Sequence, residues 1–304
     1  MSSEPVTKET ETPGADPAGP VRRSGESGGP GVAEPAGGRV RDAGRAVRAE
    51  WTKLRTVQST AWLLLAVTGC VLVVGCVAMW SVSTDACASP TACDEDTAKL
   101  SLFGVYLGQL AVVVLAALAM TTEYDNGVIR TTLAANPRRG VVLAAKAFVM
   151  VAVVLGTSAL GVLGSLLASR QILPANGFTT ANGYPPLSLA DEPTLRAAGG
   201  TVLYLGLIAL LSLGVGAALR DTAGTLTTVL TLLYVVPAIS TFIHNQVWQE
   251  RIQKLSPMTA GLAVQATRRL DSLPIGPWAG LGVLAAYAGG AMVVGAAALL
   301  LRDA

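Results

Sequence analysis

Stretches free of Asp, Glu, Lys and Arg set the frame of this chain. They cover residues 56–84, 100–122, 147–169, 197–219, 222–249 and 272–301. Each can supply the ~20 apolar residues that cross a ~30 Å hydrocarbon core as a helix. The pattern predicts six spanning helices, at about 61–80, 100–120, 144–169, 197–218, 224–243 and 278–301. A further uncharged run, 171–190, carries Pro174, Asn176, Gly177, Asn182, Gly183, Pro185 and Pro186 and reads as a loop. Bare backbone in such a run would leave its hydrogen bonds unmade in lipid.

Ahead of the first span, Val40, Ala43, Val47, Trp51 and Leu54 recur at intervals of 3 and 4, the stripe of an amphipathic helix over 39–58. Arg41, Arg45, Arg48 and Arg55 lie off that stripe. A helix with Trp and Leu on one face and Arg on the other suits the headgroup layer of a membrane. Residues 1–38 hold 8 Gly and 6 Pro and have no apolar core of a signal peptide. Such a segment cannot bury enough surface to offset its ordering entropy, so it is expected to be a disordered tail. The domain reading is therefore tail (1–38), interfacial helix (39–58) and six-span bundle (59–304).

Two connections are too patterned to be plain loops. Between the fifth and sixth spans, Val247, Ile252, Leu255 and Leu262 alternate with Gln, Arg and Lys, which predicts short amphipathic helices at the outer interface. Between the second and third, Thr122 and Asp125 have capping-box spacing and Asn126-Gly127 marks a turn. Val128–Ala135 then has room for two helical turns before Asn136-Pro137 stops them. So short a helix needs something to pack against; its own bundle and a partner chain are both open at this point. Within the spans, small residues repeat every four positions at Thr157-Gly161-Ser165, Ser212-Gly216 and Gly282-Ala286-Gly290, ridges that allow close helix approach in lipid. Pro237 should distort the fifth span.

Composition agrees with a lipid solvent. Of 304 residues, 51% are hydrophobic and only 14% charged, with mean hydropathy +0.52, against ~25% charged in ordinary soluble proteins. Net charge is +2, too small for nucleic-acid binding by bulk electrostatics. Lys and Arg number six between Arg39 and Arg55, four over 121–146, and one each at Arg220 and Arg302; the opposite side carries seven. Twelve against seven places both termini in the cytoplasm of a multi-pass cell-membrane protein.

Candidate chemistry is sparse. The deepest polar groups are Gln109 in the second span and Thr227 and Thr231 in the fifth; they either line a path or bond neighbouring helices. No Asp, Glu, Lys or Arg sits mid-span, which disfavours a proton- or sodium-coupled carrier. Cys70 and Cys76 fall in an apolar run, whereas Cys87 and Cys93 flank a short loop and can pair if it lies outside the cell. The single histidine, His244, cannot build a multi-histidine metal site. No nucleophile–base pair suggests an enzyme, and no Gly-x-x-x-x-Gly-Lys-Ser/Thr phosphate loop occurs.

Taken in order, several loose motifs are more specific than any one alone: Glu50-Trp-Thr-Lys-Leu-Arg55, Glu123-Tyr124-x-x-Gly127-x-Ile129-Arg130-x-Thr132-Leu133, Leu213-Gly-x-Gly-x-x-x-Arg220, Pro237, and Trp278-Ala-Gly280. Over about residues 45–302 the chain resembles the permeases of type 2 ATP-binding-cassette (ABC) exporters, in their actinobacterial form. The resemblance implies an all-α integral membrane protein with six transmembrane helices, an interfacial helix before the first span and extracytoplasmic helices before the last. It also implies a short cytoplasmic coupling helix at 122–136, docked on a separate ABC ATPase subunit. Carried onto this chain, that contact falls on Glu123, Tyr124, Asp125, Gly127, Val128, Ile129, Arg130, Thr132 and Leu133. ATP and Mg would reside on the partner, with no cofactor on this chain, and two permeases would assemble as a homodimer or heterodimer. An ion-coupled secondary carrier and a non-transporting anchor or sensor subunit are the rival readings. The cargo is not encoded in any recognisable motif.

Overall fold

The structure, a computed structural model, describes residues 36–87, 93–125 and 139–302. Helices dominate, and no strand occurs among the described residues. The chain begins with α1 (Ala36–Thr56) and breaks at Val57. Six helices are long and apolar enough to cross a membrane: α2 (Gln58–Trp80), α4 (Val105–Asp125), α5 (Arg139–Ala175), α6 (Glu192–Leu219), α7 (Thr222–Ser240) and α10 (Pro277–Arg302). Shorter helices α3 (Thr97–Ser101), α8 (Gln246–Leu255) and α9 (Pro257–Leu262) complete the list used below. The 1–38 tail lies outside the described residues up to position 35, and helix starts at Ala36 rather than 39.

The six spans fall where the uncharged runs predict them, with differences at their ends. The second does not start at 100: the chain turns at 102–104, between α3 and α4. The third is longer than expected. Its 37 residues reach about 55 Å at ~1.5 Å per residue, well beyond a ~30 Å core. Pro174 sits in its last turn, so the first residues of the run read as loop are helical, and the irregular backbone starts at Asn176.

Helix α6 is the hub, packed against α4, α5, α7 and α10. Close approach is made by missing side chains. A Cβ on Gly214 of α6 would lie 2.5 Å from the Ala291 carbonyl carbon of α10. A Cβ on Gly104, just before α4, would strike the carbonyl oxygens of Cys70 and Val71. Those carbonyls belong to a widened, π-type turn of α2, Cys70–Val74. A second widened turn, Thr231–Val235, precedes Pro237 in α7, as expected where a proline cannot donate to the carbonyl four residues back.

The ridges of small residues divide in use. Gly161 meets Val71 of α2, and Ser165 donates to the Ser101 carbonyl. Gly216 faces Met120 of α4. The third ridge packs on no other helix among the described residues: Gly282, Ala286 and Gly290 are exposed, and nothing lies within 4 Å of a Cβ built on either glycine. The inner face of α10 is set instead by Leu281, Leu284 and Ala288, all buried.

The connections 81–104, 176–191 and 241–276 meet at the end of the bundle opposite α1. Cys87 and Cys93 are joined by a disulfide there. Asp96 accepts hydrogen bonds from the Thr267 backbone N–H, the Thr267 hydroxyl (2.7 Å) and the Arg268 N–H (3.0 Å), and it caps α3 through the Lys99 N–H. The Arg268 guanidinium lies 4.4 Å from the centroid of the Tyr184 ring, and the Tyr184 hydroxyl donates to the Cys93 carbonyl. Helix α8 has no buried residue, whereas α9 is buried along most of its length against α10.

These contacts separate two glycines of one bundle. Gly104→Ala should push α2 and α4 apart at a cost of roughly 1–3 kcal/mol, lowering the melting temperature of the purified protein in detergent. Gly282→Ala, with open space at its Cβ, should leave that temperature unchanged.

Candidate functional site

The described residues hold one buried cluster of opposite charges, and three helices build it. Glu50 and Lys53 are one turn apart on α1, Glu123 lies in the last turn of α4, and Lys146 lies two turns into α5. Lys146 Nζ donates to Glu50 Oε2 at 2.6 Å and to Glu123 Oε1 at 2.8 Å. Lys53 Nζ donates to Glu50 Oε1 at 2.8 Å and to Glu123 Oε1 at 2.9 Å. The side chains of Lys146, Glu50 and Glu123 are 6%, 5% and 10% exposed. Two carboxylates and two ammonium groups sum to zero, which is what makes ionised side chains tolerable at that depth. Glu123 Oε2 is the exception: it is buried and has no hydrogen-bond partner.

Lys53 is the most exposed member, at 38%. Burial pulls its pKa down, but hydrogen bonds to Glu50 and Glu123 and their charge outweigh that and hold it above its ordinary value of 10.5. A lysine raised in the folded state lends stability that is in full force below 10.5 and fades only as the pH climbs past its folded pKa. The Lys53 arm of the cluster therefore stays charged across the neutral range.

This arrangement bears on two expectations. On α1, Ala43, Val47 and Leu54 are half-buried, Glu50 is buried on the same side, and Trp51 is 51% exposed. Val40's side chain lies outside the described set. Residues 43, 47, 50 and 54 make as good a helical stripe as the one ending in Trp51, and ion pairing removes the objection to burying Glu50. Secondly, Glu123, expected to face a partner chain, turns inward to Lys53 and Lys146.

Tyr124 also faces its own bundle. The guanidinium of Arg220 lies 5.0 Å from the centroid of its ring and donates to the Ala298 carbonyl of α10 at 2.9 Å. Arg220 ends α6 with φ +60°, a conformation that costs an L-residue ~1–2 kcal/mol and that these contacts hold. Asp125 is the last residue of α4, and its side chain is not described. Gly127, Val128, Ile129, Arg130, Thr132 and Leu133, with the short helix expected there, lie outside the described residues.

The polar residues singled out in the spans differ in burial. Gln109 is fully buried and knits helices together. Its amide N–H₂ donates to the Tyr234 hydroxyl of α7 at 2.7 Å and lies 3.3 Å from the Met258 sulfur of α9. Its carbonyl accepts from the Tyr204 hydroxyl of α6, and the Tyr234 hydroxyl donates on to the Tyr106 carbonyl of α4. Thr227 and Thr231 lie one turn apart on α7, and both are exposed. Of the two roles open to Gln109, bonding neighbouring helices is the one its contacts describe.

Beside the ion cluster, α1, α2, α4 and α5 enclose a cavity of about 290 Å³. Leu54, Leu63, Leu115, Leu118 and Met150 line it, with Glu123 and Lys53 at its polar end. Sequence reasoning does not assemble this site, because Glu50 and Lys53 fall in one motif, Glu123 in another and Lys146 in none. A usable signal existed: two spans joined by one connection place a Glu and a Lys at the same membrane depth, next to a pre-membrane helix with a Glu and a Lys of its own.

No family model matches the chain, and no curated protein matches its sequence.

Removing one cation should be costly. Lys146→Met strands two carboxylates on a single half-exposed lysine and should destabilise by roughly 3–5 kcal/mol; combining it with Glu123→Gln should recover part of that loss, read by thermal melts of all four members of the mutant cycle. Gln109→Leu leaves the buried Tyr204 hydroxyl without its acceptor and should cost roughly 1–3 kcal/mol in the same assay.

Proposed function

We propose that the chain is the membrane-spanning permease subunit of an ABC exporter, worked by a separate ATP-binding subunit docked on the 122–136 segment. The observation that carries the reading is the ion cluster. It ties α1 to the last turn of α4 and the first turns of α5, the two stems of that segment. A push on the segment would reach α1, α2 and the bundle through short ionic contacts, rather than being absorbed in a loose loop. The absence of Asp, Glu, Lys and Arg from the middle of the spans supports an external energy source over an ion gradient.

On this reading the end carrying α1 is cytoplasmic, with exposed Arg45, Arg48 and Trp51 at the headgroup layer. The disulfide-bearing end is extracytoplasmic. ATP binding would close a pair of ATPase subunits and shift the docked segment. Two copies of the bundle, or this bundle and a related one, would then switch between inward- and outward-facing arrangements, a coupling of free energies between nucleotide and cargo sites.

The inward-facing Glu123 changes how coupling is tested. Reversing its charge would break the internal cluster whatever the partner does, so the informative change is Arg130→Glu. Tagged full-length protein captured from its native membrane should bring down a phosphate-loop ATPase, and the Arg130→Glu chain should bring down several-fold less while remaining in the membrane. A cysteine placed at Gly127 should resist an impermeant thiol reagent in intact cells and react after permeabilisation. Labelling in intact cells, or capture with no ATPase, would end the reading.

A further inference from the structure

The outward face of α1 is cationic because the ion cluster takes inward the carboxylate that would offset it. At ~100° per residue, Arg45, Arg48, Thr52 and Arg55 fall within an arc of about 80°, on the side opposite Val47 and Leu54. All four are exposed. Glu50 and Lys53 stand among these arginines in the sequence, yet both turn to the cluster. Asp42, the other acid of α1, falls outside the arc. The cluster sums to zero and so offers the arginines no net counter-charge. Among the described residues, the guanidinium groups of Arg48 and Arg55 have no hydrogen-bond or ion-pair partner.

Two further features say what covers this face. Only Val57 separates α1 from α2, so Arg55 stands within one turn of a spanning helix. Trp51, at the edge of the arc beside Arg48 and Arg55, is 51% exposed. An indole next to guanidinium groups at the mouth of a span suits the headgroup layer, where one end of a side chain is apolar and the other wet. A guanidinium has five donors and no acceptor, in a fork that matches a phosphate. A zwitterionic headgroup brings its own cation to the same face, whereas an anionic one brings none. We propose that the outward face of α1 selects anionic phospholipids, their phosphates seated on Arg48 and Arg55, with Arg45 adding to the field. The inference deepens the placing of α1 at the headgroup layer and depends neither on transport nor on an ATP-binding partner.

The test uses the full chain in vesicles of phosphatidylcholine with a minor fraction of phosphatidylglycerol. One lipid or the other carries brominated chains, which quench nearby indoles, and subtracting the signal of a Trp51→Phe chain isolates Trp51. At equal mole fraction, brominated phosphatidylglycerol should associate beside Trp51 at least fivefold more strongly than brominated phosphatidylcholine, about the effect of one arginine at a charged surface. Arg48→Gln combined with Arg55→Gln should bring the two lipids to within about twofold. The melting temperature of that variant in detergent should stay near the parent's, since neither guanidinium holds a described contact. Arg251→Gln, on α8 at the other end of the bundle, should leave the preference unchanged. Equal quenching by both lipids, or a preference that survives the double substitution, overturns the proposal while leaving α1 in the headgroup layer. Failure of either lipid to quench Trp51 overturns it together with that placement: α1 then stands off the bilayer, and its arginines face an acidic protein surface instead.

Discussion

Charge in lipid must be neutralised by the protein itself, and the Glu50–Lys53–Glu123–Lys146 cluster is where this chain meets that constraint. Each carboxylate is held by two ammonium groups at 2.6–2.9 Å. At such depth a single unpaired charge would cost several kcal/mol, so the four residues are retained or lost together. That requirement fixes the angle of α1. The helix cannot roll to bury Trp51 without withdrawing Glu50 and Lys53 from the ends of α4 and α5. It also fixes the stems of the 126–138 connection, whatever conformation that connection takes.

Elsewhere the bundle is held by contacts that lipid does not weaken. Between lipid-facing helices there is no hydrophobic drive to associate, so close packing and internal hydrogen bonds carry the assembly. Gly104 and Gly214 let α2, α4, α6 and α10 touch backbone to backbone. Gln109, Tyr204 and Tyr234 form a hydrogen-bonded centre in which each hydroxyl and amide group finds a partner. The buried polar groups of this centre specify helix positions, a use as demanding as lining a path, since an unmet buried donor there has no water to turn to.

The six spans were legible because the bilayer imposes a length and forbids charge within it, and both are one-dimensional properties of the sequence. The helices before the last span were legible for a similar reason, in the alternation around Val247 and Ile252. Facing was not. Whether Thr157-Gly161-Ser165 or Gly282-Ala286-Gly290 turns inward depends on the neighbour, and both read alike until α2 is seen against Gly161 and open space against Gly282. Glu50 on α1 counts as polar in any periodicity. Its ion pairs with Lys53 and with Lys146, 96 residues away, make it a core residue. Glu123 bonds lysines of its own bundle, a direction its sequence position leaves open, since a charge at a helix end is equally suited to a partner or to its own bundle.

The two ends of the molecule are stiffened by different chemistry, and the difference bears on what each can do. At the far end, the Cys87–Cys93 disulfide, the multiply bonded Asp96 and the Arg268–Tyr184 stack tie three connections into one cap, with directional bonds that leave little slack. At the α1 end the ties are ionic. An ammonium between two carboxylates can exchange partners with little loss, because Coulomb attraction is weakly directional. Glu123 Oε1 already serves two lysines while Oε2 serves none, so a rotation of that carboxylate would trade one set of contacts for another at modest cost. A four-charge cluster with one spare acceptor is thus suited both to hold α1 in register and to let it shift.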